Sequence, residues 1–429
     1  MKISRVSIEN IRSIADLEWR LQPGKEAGWH VVLGDNGSGK SSFLRSVALA
    51  LIGPKEAVAA RQDWNHWLRS GAESGHVLIR IRRDDEFDSF SGKGRAGATI
   101  VAAIKFSREE GMVDMYRPTI RPHAMSPDRH IWGTGTGWFS AAYGPFRRFS
   151  GGDKDAERSF LANPKLGAHL SVFGENVALN ESVFWLKELN YKKLEKLPEG
   201  KLLSHLSEFV NQDGFLPYGV KLTKISSEGV RFEDANGCQV SVEELSDGYR
   251  SVLSMTFELV RQLSRHFSPS EIFNDRNHKI VIPGVVLVDE IDAHLHPSWQ
   301  KKIGFWLTAH FPAMQFIVTT HSPLVCQAAV NGSIFLLASP GSGEAGEMLK
   351  GAERDRLVYG DILDAYSTEA FGAAGTSSDE ARRMKERLAV LNVKELREAL
   401  SPQDQAEQKR LRSIFPTTPH IGPPQESLR

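Results

Sequence analysis

Residues 34–41 read Gly-Asp-Asn-Gly-Ser-Gly-Lys-Ser, and no other stretch of the chain restricts its fold as much. A short apolar run, His30 to Leu33, leads into it, and Ser41 to Leu51 follow with helical apolar spacing. Strand, glycine turn and helix in this order form a cradle for an anion. Glycines let successive backbone N–H groups turn inward around phosphate oxygens, and the helix start adds the positive end of its dipole. Lys40 is placed to reach β and γ phosphates, and the Ser41 hydroxyl to ligate Mg²⁺. With glycine at about 7% of an average protein, the bare pattern arises by chance on the order of once in a hundred such chains. The flanking strand and helix lower that further. The expected nucleotide contacts are Gly34, Asp35, Asn36, Gly37, Ser38, Gly39, Lys40, Ser41 and Ser42. An α/β fold follows from the same run.

Composition narrows the function classes. Lys plus Arg and Asp plus Glu are equal at 53 each, so the 429-residue chain is formally neutral and is not a polycationic nucleic-acid coat. The longest apolar stretches, such as Val281 to Val288, fall far short of a membrane span. The two cysteines, Cys238 and Cys326, rule out a disulfide scaffold or a CxxC zinc site. With no signal-peptide core at Met1–Ile14, the expectation is a cytoplasmic protein.

Along the chain, residues 1–22 read as two strands and 76–83 and 99–106 as two more, with a loop composition between the latter. Residues 117–152, rich in Gly, Pro and aromatics, read as turns and short strands, and 180–210 as helical. Clear periodicity returns with helices at 249–265 and 297–310 and buried strands at 284–288 and 315–319. In the tail, Met384, Leu388 and Leu391 mark one amphipathic helix. Its stripe is expected to pack on the chain's own head, a sister subunit or a partner. The final residues, 417–429, read as disordered.

Three further motifs bear on chemistry. The strand Val285–Val288 delivers Asp289 and Glu290 at its tip, one placed to hold Mg²⁺ and the other to deprotonate an attacking water. Alone, an acidic loop after a buried strand is as good a reading. The strand 315–319 ends in Thr320-His321-Ser322-Pro323, where His321 can donate to a γ-phosphate; a lone histidine is more often a satisfied surface residue. Leu245-Ser246-Asp247-Gly248-Tyr249 opens a helix, and Ser246 with Gly248 can make a second anion site, against the plainer reading of a helix cap.

The order of these motifs decides among the readings: 44 residues separate Leu245 from Asp289, and 32 separate Asp289 from His321. In this order the chain resembles the ABC-type ATPase heads of the SMC, RecF and OLD-like group of P-loop ATPases. Residues 245–249 stand where that group carries its LSGGQ signature, VVLVDE matches its Walker B strand, THSP its switch histidine, and DEIDAHLHPSWQ is similar to the OLD-like defence ATPases. The resemblance covers residues 1–55 and 240–338, and departs from the signature at Asp247 and Tyr249. It implies a head split into 1–110 and 241–340, an inserted mixed α/β region at 111–240, and a helical tail at 341–429. It also makes Lys40, Glu290 and His321 catalytic, Ser41 and Asp289 metal ligands, and ATP with Mg²⁺ the ligands. Ser246 and Gly248 would then serve the nucleotide of a facing head, so the protein would be a homo-oligomer.

His294 and His296 read as a turn after the acidic strand rather than a metal site, and Asn10 and Arg12 as either a phosphate approach or a surface strand. Arg147 and Arg148 read as facing nucleotide or DNA, or as a solvated pair; Gln62 is a weak candidate for a γ-phosphate-sensing glutamine. The resemblance favours an anti-phage ATPase like the PtuA proteins of Septu and retron-associated systems, controlling a separately encoded nuclease, for example of the HNH type, or retron components. A RecF-like DNA-repair ATPase is the alternative, and a transporter-type ATPase subunit the third, disfavoured by the long interval before residue 245. No acidic cluster follows His321, and 274–278 is too isolated for a His-Asn-His nuclease.

Overall fold

The computed structural model describes residues 1–89, 97, 99–118, 125–133, 137–147, 163–174, 181–273, 279–366, 368–371, 379–397 and 399–415. Arg148, the 274–278 segment and the 417–429 end lie outside them. The strands in chain order are β1 (Lys2–Ile11), β2 (Ile14–Arg20), β3 (Gly28–Leu33), β4 (Ser74–Arg82), β5 (Thr99–Glu109), β6 (Met112–Tyr116), β7 (Ser140–Tyr143), β8 (Lys221–Ser226), β9 (Gly229–Glu233), β10 (Gln239–Ser241), β11 (Gly284–Val288), β12 (Met314–Thr319), β13 (Ser333–Leu336) and β14 (Glu347–Met348). The helices that matter here are α1 (Lys40–Ile52), α2 (Glu181–Leu194), α3 (Lys201–Val210), α4 (Asp247–Leu263), α5 (Pro297–His310), α6 (Asp379–Arg397) and α7 (Pro402–Ile414).

The expected α/β fold is the observed one. Its central sheet has the order β14-β13-β3-β12-β11-β7, with β13, β3, β12, β11 and β7 parallel. Every residue of β11 and β12 is buried, as continuous apolar runs require when a sheet is covered on both faces. A second, antiparallel sheet has the order β2-β1-β4-β5-β6, pairing Val6 with Ile79 and Ile8 with Val77. Alternation in these strands turns Ile3, Val6, Ile8, Val77, Ile79 and Ile81 to one buried face.

Helix α1 joins both sheets into one core. Phe43, Leu44, Val47, Ala48 and Leu51 cluster with Ile8, Val77, Ile79 and Ile104 of one sheet and with Val32, Leu287 and Ile317 of the other. A helix so enclosed is apolar nearly all round, and SFLRSVALALI supplies that. Gln315 ties the sheets again, its amide donating to the Ile3 carbonyl at 2.8 Å and accepting the Ile3 N–H at 2.6 Å. On the other face of the central sheet, α2, α3, α4 and α5 share a core with the three-stranded sheet β10-β9-β8.

A short strand in 117–152 fits the sequence reading; its place beside β11 is what the sequence does not anticipate. Within the turn-rich 117–152 stretch, Ser140–Tyr143 pairs in parallel with β11, Tyr143 opposite Val288, and so completes one edge of the central sheet.

The chain forms two compact units, Met1–Phe371 and Gly372–Arg429. The second, taken by itself, is a helical hairpin. Leu388 and Leu391 of α6 pack with Leu411 of α7, with Met384 and Phe415 alongside. Arg387 pairs with Glu407 and Asp404, Lys394 with Asp404, and Arg412 with Glu395 across the hairpin. The apolar stripe expected to seek the head or a partner therefore meets a second helix of the tail. Among the described residues, no helix is long and apolar enough to cross a membrane.

Candidate nucleotide site

The 34–39 loop leaves β3 at its carboxyl end and enters α1 through Gly39, whose φ is 103°. A side chain there would strain the backbone and also collide: its Cβ would lie 2.7 Å from Ser13 Oγ and 3.0 Å from Ile14 Cγ1. No side chain caps α1, so its first N–H groups face the loop without a side-chain partner. Lys40 is only 7% exposed, and its ammonium donates to the carbonyls of Gly34 (2.7 Å) and Asp35 (2.9 Å). Asp35 is itself held by the Ser339 hydroxyl at 2.8 Å. The Ser38 hydroxyl is buried without a partner among the described residues. Ser41 and Ser42 are half-buried at the helix start, while Asn36 and Gly37 are exposed at the loop's tip.

Asp289 and Glu290 leave β11 on the same edge. Burial lowers the Lys40 pKa, and Glu290, Asp289, Asp35 and Asp292, in that order, oppose the shift. The carboxylates named from the sequence thus lie near enough to favour the charged form of the loop's lysine. Asp289 is buried; its Oδ1 accepts the Thr319 hydroxyl at 2.6 Å, and Thr319 Oγ1 in turn accepts the Glu290 N–H at 2.8 Å. Asp289 Oδ2 has no hydrogen-bond partner among the described residues. A buried, unpartnered carboxylate oxygen is costly unless a cation or its water meets it. That orphan, with the Ser41 hydroxyl at the helix start, fits the hard oxygen ligands Mg²⁺ requires.

His321 follows β12, which lies between β3 and β11 in the sheet. Its neighbours are fixed: the Thr320 hydroxyl donates to Asp292 Oδ1 at 2.5 Å and accepts the Ser322 N–H at 2.9 Å. His321 itself is exposed at that edge. Lys40, Asp289, Glu290 and His321 therefore all stand at the carboxyl ends of three adjacent parallel strands, where open α/β sheets hold their ligands.

Ser246 occupies the N-cap of α4, but its hydroxyl makes no cap bond and is exposed. Gly248 has a packing reason. A Cβ there would sit 2.9 Å from the His294 carbonyl, so the 245–249 run and the 294–297 turn press together. The two departures from the signature are absorbed locally: Asp247 pairs with Arg250, and the Tyr249 hydroxyl donates to the Pro217 carbonyl at 3.0 Å while its ring packs on Trp299. His294, with a φ of 65°, shapes that turn, and His296 caps α5 by accepting the Ser298 N–H, which bears out the turn reading. No group of three or more His, Cys, Asp or Glu among the described residues is arranged to hold a metal.

Other candidates resolve differently. The Arg12 guanidinium lies 4.6 Å from the Trp67 ring centroid, and burial, with Arg45 nearby, pushes its pKa down to about 10. Asn10 donates to the Ser74 carbonyl at 3.2 Å. The Gln62 amide is spent on the Phe173 and Ala60 carbonyls. Arg147 is buried, not solvated: it donates to the carbonyls of Gly144, Asp289 and Glu290 and to the Ser251 hydroxyl. Sequence reasoning missed Thr319 and Asp292. The signal for Thr319 was a hydroxyl directly after the apolar run Phe316–Val318; Asp292 lay unread inside the matched acidic motif.

Family models and curated relatives match this chain. A family model described as "AAA domain, putative AbiEii toxin, Type IV TA system" matches residues 160–327, and one described as "AAA domain" matches residues 5–116. "Septu protein PtuA" of Bacillus mycoides (strain KBAB4) is 24% identical over 360 residues, covering 80% of this chain and 41% of that protein. "Retron Ec83 probable ATPase" of Escherichia coli is 38% identical over 119 residues, 28% of this chain and 21% of that protein. "Retron Vc95 probable ATPase" of Vibrio cholerae serotype O1 biovar El Tor is 22% identical over 459 residues, covering 90% and 86%. The chain thus spans about two-fifths of the PtuA protein and a fifth of the Ec83 protein that it matches. A solved SMC head bound to the C-winged helix domain of ScpA aligns at a TM-score of 0.48 and 15% identity, over 81% of this chain and 98% of that one. The phosphate-type loop and the acidic strand each fall within a matched AAA domain, and relatives named for Septu and retron systems align along the chain: it is a P-loop ATPase, similar to the PtuA and retron ATPase proteins.

Proposed function

We propose that this protein binds ATP with Mg²⁺ in the 34–42 loop, hydrolyses it between two copies of the head, and thereby controls a separately encoded effector in anti-phage defence. The observation that carries the ATPase part is the placement of Lys40 and the Asp289–Glu290 tip at the carboxyl ends of nearby parallel strands, the Asp289 Oδ2 atom unpartnered among the described residues. Backbone N–H groups of the loop and the start of α1 bind the phosphates, and Lys40 neutralises the outer two. Asp289 and Ser41 would hold Mg²⁺, which supplies charge neutralisation on the β and γ oxygens. Glu290 takes a proton from the water attacking the γ phosphorus; the bond to the β–γ bridging oxygen breaks, leaving ADP and inorganic phosphate. His321, exposed at the same edge, donates to the γ-phosphate. Ser41→Ala should spare part of the nucleotide binding but flatten its dependence on Mg²⁺; titrating Mg²⁺ against ATP affinity in both proteins checks this.

The exposed, uncapped Ser246 beside the amide of Gly248 supports a head-to-head arrangement in which this segment grips the nucleotide of the facing copy. ATP then joins two heads and hydrolysis releases them. The defence setting rests on the names of the Septu and retron relatives. A nuclease partner, of HNH type or with retron components, is the finer part of the reading. With ATP and Mg²⁺, the purified chain should leave plasmid and linear DNA intact, and co-expression with its genomic neighbour should supply cleavage. Robust cutting by the chain alone, lost on a substitution in 341–429, would overturn the partner reading. ATP-dependent clamping of duplex DNA, with no effector, would move the protein to the RecF-like alternative.

A further inference from the structure

Arg147 is 4% exposed, yet among the described residues none of its hydrogen bonds goes to a carboxylate. It follows β7 at the edge where Asp289 and Glu290 emerge, because Tyr143 pairs with Val288 and its carbonyl accepts the Asp289 N–H at 2.8 Å. One terminal nitrogen donates to the Gly144 carbonyl (2.8 Å) and the Asp289 carbonyl (2.7 Å), and the other to the Glu290 carbonyl (3.0 Å). Nε donates to the Ser251 hydroxyl of α4 at 2.9 Å. Burial pushes the guanidinium pKa down to about 10, against the favourable field of Asp289, Asp292 and Glu290. Burying a cation whose bonds go to main-chain carbonyls is expensive, and what the fold obtains for it is a fixed backbone at the acidic tip.

Glu290 needs that. Its φ of 46° lies in the left-handed region, which side-chain-bearing residues rarely adopt without support. Thr319 grips its N–H and Arg147 its carbonyl, so both ends of the residue are held. The same guanidinium reaches the helix that begins at Ser246, five residues before Ser251.

We propose that Arg147 is a positioning residue that aims the Glu290 carboxylate and couples the acidic tip to the α4 helix, so that the nucleotide state of one head sets the position of the Ser246–Gly248 segment offered to the facing head. This rests on the ATPase reading above. A planar guanidinium spans three carbonyls and a hydroxyl at once; an ammonium at this position does not.

The test uses the full chain with ATP and Mg²⁺, following ATP affinity by calorimetry, turnover by phosphate release and assembly by light scattering. Arg147→Lys should leave ATP affinity within about 2-fold and lower kcat by about 10-fold or more, the scale of one charge-assisted hydrogen bond. Ser251→Ala removes only the link to the helix; it should keep ATP affinity and raise by about 10-fold the ATP concentration needed for assembly, with Ser251→Thr restoring it. Should Arg147→Lys fail to fold, as judged by circular dichroism, the Ser251 pair alone decides. Ser251→Ala indistinguishable from wild type in assembly overturns the coupling, as does an Arg147→Lys that folds and keeps wild-type kcat. A wild-type chain that binds no ATP or releases no phosphate overturns the ATPase reading itself, and the coupling with it.

Discussion

Lys40→Ala is expected to weaken ATP binding by about 100-fold or more. Lys40 is 7% exposed, its ammonium on the carbonyls of Gly34 and Asp35, and two charge-assisted hydrogen bonds from it to phosphate would each contribute about 1.5–3 kcal/mol. Removing it does more than delete an attraction. Glu290, Asp289, Asp35 and Asp292 all act on this lysine, and without it their charge opposes an incoming polyphosphate. The change lies at the first residue of α1, and alanine is a good helix former, so the fold should persist. Calorimetric titration with ATP, alongside a melting curve of each protein, measures both. Unchanged affinity in a folded variant would remove the loop from the nucleotide site.

Glu290→Gln is the second large effect: ATP binding kept, turnover down by about 100- to 10,000-fold. The amide has the shape of the carboxylate but cannot take a proton from water. The contacts that hold this residue are to its backbone, Thr319 on the N–H and Arg147 on the carbonyl, so the substitution leaves the left-handed turn in place. Binding without hydrolysis should accumulate an ATP-dependent assembly of heads. Ser246→Arg, which adds bulk and charge at an exposed helix start, should block that assembly without touching the loop. Light scattering on the two variants with ATP separates them by particle mass. The same assembly state in both would end the shared-site arrangement.

Arg147 shows where reading the sequence stops. As part of YGPFRRF it is one of two adjacent arginines, with nothing local to separate a phosphate contact from a solvated pair. Besides Gly144, its partners are Asp289, Glu290 and Ser251, more than a hundred residues away, brought within reach only because β7 closes the sheet beside β11. The place of β7 was itself hidden: four residues with two alanines carry no period to read. The α7 helix left better clues, since Ser401 and Pro402 form a helix start and the Ser401 hydroxyl accepts the Asp404 N–H at 3.1 Å.

What the sequence determined by itself was everything local. The loop 34–41 needs glycine at defined positions and a helix behind it, α1 needs apolar residues nearly all round, and β11 and the Phe316–Val318 stretch of β12 need apolar runs; each is written in consecutive residues. The turn after the acidic strand and the helix opening at Ser246 were equally legible. Only the tertiary structure decided which carboxylate oxygen is left unpartnered, that Glu290 is held in a left-handed turn, that Gly248 yields to the His294 carbonyl, and that the tail's stripe closes on α7. The physical reason is range. Backbone preference and hydrophobic period act over a few residues, whereas a buried hydrogen bond or a close approach depends on which distant strand arrives next to it.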